Sequence, residues 1–256
     1  MPGSRPRLLV IQPDPLVRLE RFENWLIEGG LDIRTVSPFD GTALPATLHE
    51  DGLLVLGGSM SSLDDHAYPW LADIRRLFRH AIETQRPTFG ICLGAQLLAQ
   101  ACGGEVTVGD HGIEAGVVDV RLLPDAGDDP VFADVGSPFC SGAMHGDMIR
   151  TMPASATWLG TSDPYPHQAF RVGQCAWGVQ FHPELTPALY QEWVSADIGD
   201  EPAVREAKRR GGLDIDTRDG EIRTASFIMA TNFARLVVAR ASSGAVTRHH
   251  TLSVEP

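Results

Sequence analysis

Short apolar runs bounded by turn residues alternate, along the first hundred residues, with apolar positions spaced three and four apart. Leu8-Leu9-Val10-Ile11 predicts a first buried strand, stopped by Pro13 and Pro15. Leu16 to Glu28 predicts a helix on the spacing of Leu16, Leu19, Phe22, Leu26 and Ile27, ended by Gly29-Gly30. Ile33 to Val36 and Leu53 to Leu56 predict two further strands, the second running into Gly57-Gly58. A helix follows Pro69, with Leu71, Ile74, Leu77, Phe78, Ala81 and Ile82 on one face. Thr88 to Ile91 predicts a strand, and Leu93 to Cys102 a helix closed by Gly103-Gly104. Such strand–helix alternation predicts an α/β fold: an open, mainly parallel twisted sheet with helices on both faces.

The second half changes character. Val117 to Leu123 alternates as a strand does, Pro124 to Pro138 reads as loop, and Ala176 to Phe181 predicts a strand stopped by Pro183. The charged stretch 199–220 reads as a mobile insertion, Thr224 to Ala239 as a final amphipathic helix, and residues from Ser242 as a tail.

With 256 residues, 43% apolar and 21% charged, the chain suits one large domain with an extension. Its formal net charge of -12 argues against a nucleic-acid partner. No apolar run is long enough to span a bilayer, and Leu8 to Ile11 is too short for a signal-peptide core. The four cysteines form no CxxC pair or Cys/His cluster, so no metal site is expected. Their sparse use fits a reducing, cytoplasmic setting.

The candidate chemistry centres on Gly90-Ile91-Cys92-Leu93-Gly94. A strand enters, a helix leaves, and flanking glycines permit the sharp turn that would expose the thiol. Helix N-terminal N–H groups favour thiolate and can also serve an oxyanion. A structural thiol is the plainer alternative for any cysteine, and it is preferred for Cys102, Cys140 and Cys175. A thiol nucleophile works best beside histidine. His182 lies just past a predicted strand, with Glu184 two residues on, where a carboxylate could orient the imidazole. His145, in Met144-His145-Gly146-Asp147, is the rival base, whereas His66 and His111 read as solvated and the pair His249-His250 as part of the tail, without a role.

Four segments in order carry a resemblance: Gly57-Gly58-Ser59-Met60-Ser61, Gly90 to Gln96, Met144 to Asp147, and Gly178 to Glu184. Together they resemble the class I, triad-type glutamine amidotransferases. Within these they are most similar to stand-alone proteins related to the glutaminase domain of guanosine monophosphate synthetase, a branch that Tyr68-Pro69-Trp70 also matches. The resemblance implies a flavodoxin-like amidotransferase fold over residues 1–190, with 191–256 as a C-terminal helical extension and tail packed on the same domain. It implies Cys92 as nucleophile, His182 as acid/base and Glu184 as its partner. Backbone N–H groups of Gly58 and Leu93 would form the oxyanion hole. Gly57, Gln96 and the segment Met144, His145, Gly146 and Asp147 would hold substrate, which leaves His145 outside the base role. Two positions depart from the family pattern: Ser59 replaces a usual proline, and Met144 a small polar residue or tryptophan. The implied reaction is hydrolysis of the glutamine amide through a γ-glutamyl thioester, without cofactor or metal. Because the chain has no phosphate-binding GxxxxGK[ST] loop, a separate synthetase would have to activate any ammonia acceptor. The alternative is a γ-glutamyl peptidase, hydrolase or transferase acting alone on γ-glutamyl amines or peptides.

Overall fold

A computed structural model describes residues 5–196 and 201–251, with side chains in the second stretch as far as residue 243. The first five strands of the central sheet run parallel in the order β2 (Asp32–Val36), β1 (Arg7–Ile11), β3 (Gly52–Val55), β4 (Thr88–Ile91), β11 (Ala176–Val179). Beyond β11 the sheet continues antiparallel through β10 (Ala169–Val172), β9 (Ala156–Thr161), β6 (Glu114–Leu122) and β7 (Phe139–His145). A separate antiparallel pair joins β5 (Glu105–Val108) to β8 (Asp147–Thr151).

Strand β1 shows why the parallel half reads as continuous apolar runs. Leu8 and Val10 enter one core, Leu9 and Ile11 the other, and all four are fully buried. Helices α2 (Trp70–Glu83) and α3 (Leu93–Ala101) close one face. Helix α1 (Arg21–Glu28) and the long α5 (Pro202–Thr251) close the other, with Phe22, Phe89 and Phe233 in ring contact at 5.4–6.4 Å. Helix α4 (Pro187–Ala196) leads from β11 toward α5.

Several elements differ from their sequence reading. Helix α1 starts at Arg21, five residues later than the apolar spacing predicts. The Asp14 carboxylate takes the Leu16 N–H at 2.8 Å, and Glu20 has φ +46, so the chain turns before it can coil. Strands β7 to β10 carry no alternating signal strong enough to predict them. The stretch 202–220, read as a mobile insertion, belongs to α5; residues 197–200 lie outside the described ones. Glycines explain its docking. Gly116, at φ +108, faces Gly211, and a Cβ built on Gly211 would stand 2.6 Å from the Gly116 Cα. The α5 backbone thus lies directly on the start of β6. Among the described residues no helix is long and apolar enough to cross a membrane. The side chains of His249 and His250 lie outside the described ones.

Candidate active site

The carboxyl ends of β3, β4 and β11 meet at one edge of the parallel half, where open α/β sheets place their crevices. The turn after β4 holds Cys92 at φ +51, ψ -106, a backbone state that L-residues other than glycine rarely adopt. Close packing enforces it. A Cβ on Gly94 would stand 2.3 Å from the Val55 carbonyl oxygen, and one on Gly90 would stand 2.6 Å from the Gly94 carbonyl oxygen. The Cys92 N–H is tied to the Val179 carbonyl at 2.8 Å. Cys92 is therefore a left-handed elbow, 5% exposed, at the N-terminus of α3.

His182 leaves β11 on the same edge. Its N–H donates to the Gly142 carbonyl at 2.7 Å, and its side chain is buried. Nδ1 lies 2.7 Å from Oε1 of Glu184, itself fully buried, so Nδ1 carries a proton and the carboxylate accepts it. Burial alone would push the imidazole down. The opposing charges of Glu184 and the Cys92 sulfur outweigh it and raise His182 to about 10. The Trp193 ring meets the imidazole edge-on at 4.9 Å.

These groups face a cavity of about 410 Å³. Cys92, His182, Gly58, Gln96 and the turn Met144 to Asp147 all line it. Glu184, Gly57 and Leu93 do not. Glu184 stands behind His182, and Gly57 lies where a Cβ would meet His182 Cε1 at 2.8 Å. Among the described residues, the N–H groups of Gly58 and Leu93 donate to no backbone carbonyl. His145, the rival base, has both ring nitrogens engaged elsewhere: Nε2 lies 2.8 Å from Glu114 Oε2, and Nδ1 3.0 Å from the Asp147 carbonyl. No cluster of three or more metal-ligating side chains occurs among the described residues.

Two residues of the site carry no sequence signal of their role. Gln180 donates from Nε2 to Cys92 Sγ at 3.6 Å, and Gln96 Nε2 in turn reaches Gln180 Oε1 and the Asp147 carbonyl. Asp14, from the loop after β1, accepts from the Ser59 N–H at 2.9 Å and from its hydroxyl at 2.5 Å. The glycine loop is therefore held by a buried carboxylate at the position where the family pattern has proline. Ser61 extends the clamp, its hydroxyl donating to Asp147 at 2.6 Å.

Fold and site together define an α/β protein with an elbow cysteine facing a buried His–Glu pair. The class-I glutamine amidotransferase family model matches residues 24–197, and the chain belongs to that family. A glutamine-hydrolyzing GMP synthase subunit from Halobacterium salinarum is 32% identical over 171 residues, 64% of this chain and 86% of that protein. The glutamine amidotransferase-like protein YfeJ of Salmonella typhimurium is 32% identical over 166 residues, 63% of this chain and 69% of that protein. The chain spans 24% of the GMP synthase of Vibrio vulnificus, which it also matches. Among solved structures, a glutamine amidotransferase from Thermotoga maritima superposes with a TM-score of 0.80 at 26% identity, covering 92% of this chain and 99% of that one.

Proposed function

We propose that the protein hydrolyses the side-chain amide of glutamine, with Cys92 as nucleophile, His182 as acid and base, and Glu184 as the group that orients the imidazole. The carrying observation is the buried His182–Glu184 pair at 2.7 Å, with an imidazole raised to about 10 beside the elbow thiol. That shift favours imidazolium, the partner a thiolate needs. The Cys92 sulfur attacks the amide carbon. The N–H groups of Gly58 and Leu93 receive the developing oxyanion, each such donor worth roughly 3–4 kcal/mol in comparable sites. His182 delivers its proton to the departing nitrogen, the C–N bond breaks, and ammonia leaves a γ-glutamyl thioester. Water then adds to the thioester as His182 takes its proton. The C–S bond breaks, and glutamate and the thiol are released. Gln96 and the turn Met144 to Asp147 hold the α-amino and α-carboxylate end. A synthetase supplied by another chain would use the ammonia, as the GMP synthase relative from Halobacterium salinarum suggests.

A second reading is hydrolysis of larger γ-glutamyl amides. The cavity supports it, since about 410 Å³ is within the size range of pockets that hold drug-sized ligands, roughly 300–1,000 Å³. Glutamate release by the purified protein, measured with glutamine and with γ-glutamyl amides, separates the two. Cys92→Ala should abolish release from either while keeping the far-UV circular dichroism of the wild type. Turnover by Cys92→Ala at the wild-type rate would overturn the assignment.

A further inference from the structure

The glycine pair beside the elbow has nothing of its own to hold it. Gly57 and Gly58 come just after β3, and two successive glycines leave the backbone wide freedom in φ and ψ. A Cβ on Gly57 would meet His182 Cε1 at 2.8 Å and Cys92 Cβ at 3.5 Å, and one on Gly58 would meet Leu93 Cδ2 at 2.8 Å. The pair is therefore pressed against the imidazole, the elbow and the start of α3, where a side chain to brace it would not fit.

The ties lie at its two ends. Upstream, the Leu56 N–H donates to the Ile11 carbonyl at 3.0 Å. Downstream, the Ser59 N–H and hydroxyl both donate to Oδ2 of Asp14, at 2.9 and 2.5 Å. Ile11 ends β1 and Asp14 lies in the loop that follows it, so both ties run to one neighbouring strand. Asp14 is itself fixed. Its Oδ1 accepts from the Leu16 N–H at 2.8 Å, and its carbonyl accepts from the Val17 N–H at 3.2 Å and the Gln12 amide at 3.1 Å. The carboxylate lines the cavity, is 4% exposed, and is satisfied there by three neutral donors.

We propose that Asp14 is a positioning residue for the reaction: through Ser59 it holds the Gly58 N–H where the oxyanion develops. This rests on the thioester chemistry above. The amide oxygen gains its full charge only after the thiol attacks, so the placement of a donor counts more in the transition state than in substrate binding. Loss of the clamp should therefore lower kcat and leave KM. The number of acceptors makes the carboxylate hard to replace. Three donors share its two oxygens, whereas asparagine offers one oxygen and an NH2. Whichever way the amide sits, the N–H of Leu16 or of Ser59 faces another donor.

Asp14→Asn tests the role. Outright loss of an oxyanion donor costs about 10²–10³ in kcat, so a displaced one should slow glutamate release from glutamine by about tenfold or more. KM should stay within about threefold of the wild type. The aldehyde analogue of glutamine, whose adduct with the thiol places an oxygen at the same point, should bind more weakly by the same factor as kcat falls. Alkylation of Cys92 by iodoacetamide passes through no oxyanion and should keep its wild-type rate. Ser59→Ala keeps the N–H tie and loses the hydroxyl, so it should show the same pattern at about threefold, as one hydrogen bond is worth. Melting temperatures show whether each variant has folded, and if Asp14→Asn has not, Ser59→Ala decides alone. Wild-type kcat in the deciding variant, or alkylation slowed as much as hydrolysis, overturns the positioning role and leaves the thioester chemistry standing. A wild type that releases glutamate neither from glutamine nor from γ-glutamyl amides overturns both.

Discussion

At the scale of single residues, the site depends on charge held out of water. His182 is raised toward 10 because burial, which opposes its charge, is outweighed by Glu184 and the Cys92 sulfur. A folded-state value above the ordinary 6.5 means the protonated imidazole contributes stability fully below about pH 6.5. That contribution fades as the pH rises through 10. In the proposed reaction the same proton is the one delivered to the leaving nitrogen, so glutamate release should hold through neutral pH and fall along a limb near pH 10. Glu184→Gln removes one of the two opposing charges. It should slow kcat by about 10²- to 10⁴-fold, the usual range for loss of acid–base assistance, and move the alkaline limb to lower pH. A pH–rate profile checks both, and a limb that stays in place would detach Glu184 from His182. The candidate residues Cys92, His182 and Glu184 were legible in the chain because each follows a recognisable strand end. Asp14 and Gln180 were not. Asp14 reaches Ser59, 45 positions further along the chain, a pairing that the β1–β3 adjacency creates.

At the scale of elements, glycine contacts decide where helices sit. Gly211 and Gly220 both lie within α5, yet their surroundings are opposite. A Cβ on Gly211 meets the Tyr190 hydroxyl and the Gly116 backbone at 2.5–2.7 Å, whereas one on Gly220 meets nothing within 4 Å. Replacing glycine by alanine inside a helix ordinarily gains up to about 1 kcal/mol. Gly220→Ala should therefore stabilise by about 0.5–1 kcal/mol. Gly211→Ala should destabilise, because overpacking of about 1–3 kcal/mol exceeds that gain. Chemical denaturation of the two variants gives the signs directly. The same glycines hid the first half of α5 from the sequence reading, since Gly211-Gly212 and Gly220 look like punctuation where charge dominates. The parallel strands β1, β3, β4 and β11 were easy to read because both faces are buried and the runs are mainly apolar. The antiparallel strands β7 to β10 were not, because sequences such as Phe139 to His145 mix glycine, serine and histidine among their apolar residues.

At the scale of the whole molecule, α5 is a wall of the core. Ile222, Met229, Phe233 and Val237 are buried on the face shared with Phe22 and Phe89. Each such side chain contributes about 1.5–3 kcal/mol when fully buried, so their joint loss rivals the whole stability of a typical domain. A chain ending at residue 201 should therefore lose its near-ultraviolet circular dichroism and bind anilinonaphthalene sulfonate. A cooperative melt in that fragment would show the remaining residues to be sufficient alone. The cavity and this wall are not independent, since Trp193 and Lys208, which line the cavity, belong to the helices that seal the core.

The left-handed elbow has a thermodynamic signature of its own. At φ +51 and ψ -106, Cys92 occupies a conformation that glycine tolerates and cysteine resists, at about 1–3 kcal/mol for such outliers. On the proposed chemistry, reactivity and a durable fold therefore pull in opposite directions at one residue. Cys92→Gly should be catalytically dead and yet melt several degrees above the wild type, since about 1 kcal/mol corresponds to roughly 2–4 °C in a chain of this size. A calorimetric scan of that variant would measure what the fold gives up to present its thiol.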